Sequence, residues 1–215
     1  MANQYDMVVG LDPGVTGGIT IVYKNGKVNI HRIPVETVTV NKKTKKKYDL
    51  KGIVALLKPM VGKKVLFIQE KVTSMPGEGS TSSFNFGHSS GSTIGIATAF
   101  GFNVVEVGSA KWKKDFPELI NDEIRDFKAK AKELREESKT LKDKDLKKAN
   151  KKQIDKLGRQ VKTVAKRLAR ELVISLHPEL ADDFKQKNSD GMAESLLIAL
   201  YGKKLYGRDN QNELV

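Results

Sequence analysis

Short apolar runs separated by turn residues open the chain and predict β-strands. The runs at 5–12 and 65–70 are nearly continuous in apolar residues and each ends on an acid, which is typical of a buried strand that leads directly into a turn. Between them, residues 18–23 and 27–33 are β-rich and flank Lys24-Asn25-Gly26. An Asn-Gly pair is a strong hairpin signal, because both residues tolerate positive φ. The pattern therefore predicts three antiparallel strands at the start of the fold.

Further along the chain, the apolar spacing changes to that of helices. Leu50 to Leu57 recur at helical spacing until Pro59, and the Gly-interrupted stretch 94–100 predicts a closely packed helix. A fifth strand is expected at 103–107 and a last helix at 189–197. The predicted order is strand, strand, strand, helix, strand, helix, strand, helix, which is the layout of a mixed five-stranded α/β sheet flanked by helices.

A basic insertion interrupts this order at about 118–160. Apolar residues at alternating spacings of four and three predict two helical arms, one from Ile120 and one from Ile154, with the turn between residues 138 and 150. Residues 111–170 contain 21 Lys and Arg against 11 Asp and Glu. We expect one domain, 1–215, that carries this helical hairpin as an appendage.

The charge balance favours a polyanion as partner. The formal net charge is +13 and the pI is about 9.7, and clustered Lys and Arg gain affinity by releasing counterions from phosphate backbones. A membrane is the weaker alternative, since no apolar run reaches the roughly 20 residues that span a bilayer. The N-terminus lacks the pattern of a signal peptide, so we expect a cytoplasmic protein. Without cysteine, any metal must be held by oxygen or histidine ligands.

Four acids stand where this strand order would bring them together. Asp12 and Glu70 end strands, while Asp190 and Glu194 are four residues apart and so lie on one face of a helix. Each has an ordinary explanation as a turn residue, a helix-start charge or a solvated surface residue. As a set they predict a site for Mg²⁺, with Mn²⁺ as a substitute, because carboxylate oxygens suit both ions.

These residues resemble the RuvC-type Holliday junction resolvases, particularly the phage and plant-organelle branch. The matching segments cover most of the chain outside the hairpin. They are Gly10–Gly14 with Gly17-Gly18, Gln69-Glu70, Gly87 to Gly101, Lys111–Lys114 and Asp190–Leu197. In bacterial RuvC proteins the last two metal-site positions are three residues apart, whereas the spacing here is four, as in the phage and organellar branch.

The resemblance implies an RNase H-like fold and a specific chemistry. Asp12, Glu70, Asp190 and Glu194 would be both catalytic residues and ligands of two divalent ions. The implied reaction is phosphodiester cleavage in four-way DNA junctions, leaving 5′-phosphate and 3′-hydroxyl ends, with a homodimer cutting opposing strands. A phage origin would place the protein in the cytoplasm of a bacterial host.

Other residues are candidates for DNA contact. Lys111, Lys113 and Lys114 beside Trp112 could hold phosphates, although a buried tryptophan in a basic turn is an equally good interpretation. A loop from Ser74 to Phe86 could enter a junction, with Phe84 or Phe86 as a wedge, although core packing explains both aromatics as well. The lysine run at 42–47 could follow DNA or be solvated surface.

Three competing functions fit parts of the sequence. An ATP-binding enzyme of the actin and sugar-kinase class begins with a similar strand, acid and glycine turn, but needs two such domains and more residues than this chain has. A related nuclease acting on RNA-DNA hybrids or other branched DNA would use similar acids. A non-enzymatic architectural DNA-binding protein would not need the four acids, which would repel DNA in the absence of metal.

Overall fold

The computed structural model describes residues 5–40, 42–73 and 79–206. Within these residues, seven β-strands form two sheets. The strands are β1 (Met7–Asp12), β2 (Gly18–Tyr23), β3 (Val28–Arg32), β4 (Val35–Val40), β5 (Lys43–Tyr48), β6 (Val65–Glu70) and β7 (Asn103–Val107).

The main sheet has five strands in the order β3-β2-β1-β6-β7. The first three are antiparallel, and β6 and β7 run parallel to β1. At the β2–β3 turn only Gly26 of the Asn-Gly pair has a positive φ, while Asn25 accepts the Lys27 N–H through its side chain. This mixed sheet confirms the predicted α/β class and RNase H-like strand order.

Helices flank the sheet and form a separate hairpin. None of the described helices is both long and apolar enough to cross a membrane. The helices are α1 (Leu50–Leu57), α2 (Ser80–Ala99), α3 (Ser109–Lys113), α4 (Asp122–Thr140), α5 (Lys144–Leu176), α6 (Ala181–Phe184) and α7 (Asp190–Tyr206), with short 3-10 turns at Lys58–Met60, Pro117–Leu119, Pro178–Leu180 and Lys187–Ser189.

Helix α2 and the paired strands β4 and β5 differ from the pattern expected from sequence. Helix α2 begins at Ser80, so the part of the predicted 74–86 loop from Ser80 onward is helical, while 74–78 lie outside the described residues. Buried Gln69 of β6 donates to Ser90 Oγ and accepts from Thr93 Oγ1, so the middle of this Gly/Ser-rich helix is anchored to the sheet. The basic run forms β5, which pairs with β4 in a two-stranded sheet.

The side chains of β1 alternate between two apolar layers. Met7, Val9 and Leu11 belong to one buried cluster together with residues of α1 and α2, such as Leu57 and Ala97. The residues between them lie toward α7, which packs on the opposite face of the sheet. Because both faces are covered, β1 and β6 consist almost entirely of buried residues.

Glycines allow the backbone of α7 to approach the sheet closely. A Cβ at Gly10 would lie 2.3 Å from the Ser195 carbonyl oxygen and 2.5 Å from the Ala199 nitrogen. A Cβ at Gly18 would lie 2.6 Å from both the Gly191 carbonyl oxygen and the Met192 Cα. Only glycine fits at these positions without moving backbone atoms.

The chain divides into two compact units. The first contains the residues up to Asp115 and from Asn188 onward, and the second contains Phe116–Lys187. In the second unit, α4 and α5 are antiparallel: Arg167 pairs with Glu123 at one end, and Asn150 bonds to Ser138 at the other. The turn lies within the predicted 138–150 range, and α5 continues past residue 160 to Leu176.

Buried residues line a seam between the two arms of this hairpin. Apolar side chains at helical spacing are buried in both helices, as the sequence periodicity predicts. Those at predicted positions are Ile124 and Ala131 in α4 and Leu157 and Val164 in α5, and Ala169 and Val173 further along α5 are buried as well. Asn121 and Asp143 cap the first turns of α4 and α5, so each arm has its own start signal.

Two glycine substitutions are expected to have opposite effects on the sheet-containing unit. Gly10→Ala forces the new methyl group against the α7 backbone and should cost at least about 3 kcal/mol. Gly95→Ala adds a methyl into open space on an exposed face of α2 and should stabilise by up to about 1 kcal/mol. Hydrogen exchange of the slowest β1 amides measures both effects independently of the helical hairpin. Equal protection in the two variants would contradict the close-approach explanation.

Candidate active site

Asp12 and Glu70 lie at the same edge of the main sheet. They end the neighbouring parallel strands β1 and β6. The register of these strands pairs Leu11 with Gln69, and Asp12 and Glu70 are the residues that come directly after this pair. Both are half-buried. The carboxyl ends of adjacent parallel strands are a common position for catalytic groups, since the chain turns away there and leaves the side chains accessible.

The start of α7 brings Asp190 and Glu194 to this edge. Gly191 forms an isolated parallel bridge with Gly17, which belongs to the turn that follows Asp12. A Cβ on Gly191 would lie 2.3 Å from the Thr16 carbonyl oxygen. Asp190 therefore begins α7 beside the Asp12 turn, and Glu194 follows one helical turn later.

The environment of Glu70 disfavours the ionised form of its carboxyl group. Burial is the main cause that raises the pKa of Glu70, and the neighbouring charge of Glu194 raises it further. The Trp112 Nε1–H donates to the Glu70 carboxylate at 2.7 Å and lowers this pKa, as do the charge of Lys113 and a hydrogen bond from Ser109. The net pKa of Glu70 stays above its ordinary value.

A lysine cation contacts the second of these acids. Lys113 Nζ lies 3.1 Å from Glu194 Oε1 and 4.9 Å from the centre of the Trp112 ring. The Glu194 side chain is 21% exposed, so this ion pair is less screened by water than a surface pair. Helix α3 thus places a hydrogen-bond donor on Glu70 and a positive charge on Glu194.

The four predicted acids share one edge of the fold, but their side chains do not close around one point. Within the described residues, no three acidic or histidine side chains converge tightly enough to form a metal-binding group. The charge of Glu194 acts on Glu70, and the backbone bridge between Gly17 and Gly191 brings Asp190 beside the turn that follows Asp12. The predicted residues therefore lie near one another but do not form a complete set of metal ligands.

The chemistry of this donor set nevertheless fits a divalent ion. Two half-buried carboxylates from different elements interact unfavourably, and a hard cation with oxygen ligands would neutralise them. The Lys113 ammonium already contacts one of them as a monovalent counterion. Asp12, Glu70, Asp190 and Glu194 are the residues that would hold such ions.

The candidate DNA-binding residues occupy different environments. Trp112 is fully buried, so the structure supports its interpretation as a buried tryptophan in a basic turn. Lys111 and Lys114 on either side are exposed, whereas Lys113 is half-buried in its ion pair. Phe84 and Phe86 lie on α2, and Phe84 is 71% exposed, so core packing does not explain Phe84.

Sequence reasoning singled out Gln69 and Trp112 but missed the contacts by which they support Glu70. Buried Gln69 donates to Ser90 Oγ at 2.5 Å and accepts from Thr93 Oγ1 at 2.6 Å, which ties the strand end to α2. Trp112 supplies the hydrogen bond described above. These contacts join residues far apart in sequence; the adjacency of Gln69 to Glu70 and the Lys111–Lys114 segment around Trp112 were the visible signals.

Similarity to known proteins is confined to structure. No family model matches this sequence, and no curated protein is similar to it. A structure of T. thermophilus RuvC in complex with Holliday junction substrate is similar over 91% of this chain and 90% of that chain, with 11% identity and a TM-score of 0.44. A second, Thermus thermophilus RuvC, has 18% identity and a TM-score of 0.31 over 50% of this chain and 67% of that chain. The fold assignment rests on the strand order and directions of the sheet.

Replacing the indole donor should shift the titration of Glu70. In Trp112→Phe the hydrogen bond to the carboxylate is lost, so the pKa of Glu70 should rise further above its ordinary value. Lys113→Met should raise it by less, since the lysine charge makes the smaller contribution. Carboxyl carbon NMR of the metal-free protein measures both shifts, with amide spectra to verify the fold. A pKa of Glu70 that is the same in Trp112→Phe and wild type would contradict this assignment.

Proposed function

We propose that this chain is a divalent-metal-dependent DNA endonuclease that resolves four-way junctions, of the phage and plant-organelle type of RuvC-like resolvase. The observation that carries the proposal is the meeting of Glu70 and Glu194 at the sheet edge, where the charge of Glu194 adds to burial in raising the pKa of Glu70. Asp12 and Asp190 flank this pair. Concentrated carboxylates of this kind support catalysis on phosphodiesters when cations compensate their charge.

The chain's own residues prepare this centre for a phosphate substrate. Bound Mg²⁺ or Mn²⁺, two ions per site, would activate a water molecule and stabilise the leaving oxygen. Trp112 orients one carboxylate oxygen of Glu70, and Lys113 holds Glu194 against α3. In the proposed reaction, water attacks phosphorus and the P–O3′ bond breaks, leaving 5′-phosphate and 3′-hydroxyl ends.

Substrate choice is proposed from charge and symmetry. The net charge of +13 supports binding of a polyanion. A four-way junction has approximate twofold symmetry, and a homodimer would place two acid centres on opposing strands for paired nicks. A nuclease acting on RNA-DNA hybrids or other branched DNA would use the same centre, so substrate controls decide between them.

Asp12→Asn should abolish cleavage of a synthetic four-way junction in Mg²⁺ while leaving binding intact. Loss of a ligand that stabilises the transition state by several kcal/mol should lower the rate by about 1,000-fold. Asp6→Asn is the matched control, because Asp6 lies at the other end of the β1 segment and asparagine can still accept its hydrogen bond from the Lys64 N–H.

Linear duplex and RNA-DNA hybrid are the control substrates, and calorimetry with Mn²⁺ measures metal binding independently. Symmetric nicks in the junction from wild type and Asp6→Asn support the proposal. Cutting of the hybrid alone would reassign the substrate. If wild type cuts none of these substrates with Mg²⁺ or Mn²⁺, the proposed activity is wrong.

We also propose that the basic hairpin contacts DNA. Lys147, Lys148, Lys151 and Lys152 are exposed near the start of α5. Replacing all four by Gln should reduce the slope of log affinity against log salt by up to about 3.6 for duplex arms, if each lysine neutralises one phosphate. Anisotropy titrations of a junction in EDTA measure this slope. An unchanged slope would exclude these lysines from the interface.

A further inference from the structure

A broad groove opens between the β4–β5 sheet and the first half of α2. Its volume is about 1010 Å³, at the upper end of the range for ligand sites. The turn after Asp12 and the start of α1 also contribute to its lining. Strands β4 and β5 were not predicted from the sequence. The four acids of the candidate active site do not line this groove.

One wall of the groove is basic. Lys45, Lys46 and Lys47 come from β5 and Lys51 from α1, and all four are exposed. Glu36 on β4 pairs with Lys47 at 3.1 Å, which leaves positive charge in excess on this wall. Lys45 and Lys47 share one face of β5 and Lys46 lies on the other, yet all three line the groove. Each lysine can neutralise one phosphate charge, so this wall is suited to a chain of phosphates.

The opposite wall is aromatic and apolar. Phe84 is 71% exposed, and its ring stacks on His88 with centroids 6.2 Å apart. Phe86 lies on the same side, half-buried. Two other exposed apolar residues, Val15 and Leu50, also line the groove. Exposed aromatic rings opposite a row of cations offer stacking surfaces to bases whose phosphates are held by those cations.

The groove adjoins the acid centre through one turn. Tyr48 of β5 accepts a hydrogen bond at 2.7 Å from the backbone N–H of Gly14, which lies two residues after Asp12. A Cβ at Gly14 would be 3.8 Å from the Phe86 ring. Burial, and to a smaller extent the charge of Asp12, raises the pKa of Tyr48 to about 12, although the Gly14 bond opposes the rise. Residues of both walls therefore meet at Gly14, in the turn that follows β1.

We propose that this groove binds an unpaired segment of a nucleic acid strand, with phosphates on Lys45 and Lys46 and a base stacked on Phe84. A duplex would offer phosphates to the lysines but keep its base faces covered by neighbouring base pairs, leaving Phe84 without a partner. An unpaired strand offers both kinds of surface. That the bound strand leads to the acid centre rests on the proposed nuclease function; the binding itself does not.

The test is anisotropy of a labelled short oligothymidylate in EDTA, which excludes cleavage. Phe84→Ala removes one stacking platform and should weaken binding by roughly five- to 150-fold. Lys45→Ala combined with Lys46→Ala should reduce the slope of log affinity against log salt by about 1.4, at 0.7 per phosphate contact in a single strand. A duplex of the same length should bind Phe84→Ala as well as it binds wild type.

Matched control variants lie outside the groove. Val61→Ala removes an exposed apolar side chain, and Lys58→Ala with Lys63→Ala removes the same charge near the opposite end of β6. These controls should bind the oligonucleotide like wild type. The proposal is overturned if Phe84→Ala does the same, if Phe84→Ala loses duplex affinity equally, or if the Lys58/Lys63 pair lowers the slope as much as the Lys45/Lys46 pair.

Failure of this inference differs from failure of the proposed function. Strand binding that depends on Phe84 and Lys45/Lys46, in a protein that cuts no junction, would keep the groove and refute the nuclease. Junction cutting with strand binding unchanged in these variants would keep the nuclease and refute the groove. If both hold, Phe84→Ala should also slow junction cleavage at subsaturating DNA, while Asp12→Asn retains strand binding.

Discussion

The contact of α7 with β1 and β2 at backbone distance is the constraint on which the candidate site depends. At Gly10 and Gly18 no side chain separates the sheet from the helix, and Gly191 meets the turn after β1 in the same way. A bulkier residue at any of these positions would push α7 outward. The helix carries Asp190 and Glu194 in its first turns. The absence of side chains at these glycines therefore sets how close the two acids lie to the ends of the strands.

This packing concentrates negative charge in a half-buried place, which opposes folding. The raised pKa of Glu70 means that the folded state holds this proton more tightly than the unfolded chain. The stability contributed by the neutral carboxyl is complete at low pH and is lost as pH rises through the ordinary and then the folded pKa. Helix α3 offsets part of this cost with Trp112 and Lys113. An electrostatic cost of this kind is common at functional sites, where activity requires groups that lower the stability of the folded protein.

Local patterns predicted the five main strands, α1, α7 and the hairpin, because their apolar spacing reflects burial directly. Helix α2 was predicted only in its apolar second half. The bonds of Ser90 and Thr93 to Gln69, which anchor the middle of this helix to β6, join residues more than 20 positions apart and leave no trace in the local pattern. Strands β4 and β5 carry charge on exposed positions and lack the alternation that marks a half-buried strand. The four acids were located by their positions at element ends, whereas Trp112 and Lys113 partner them across more than 40 residues of sequence.

The chain has a single tryptophan, and its indole N–H donates directly to Glu70. The emission of a buried indole depends on the charge and position of a carboxylate at hydrogen-bond distance. Intrinsic fluorescence of this protein is therefore an optical signal from one atom pair, without an attached dye. Any event that protonates Glu70, moves it or gives it a new cationic partner alters the light emitted by Trp112.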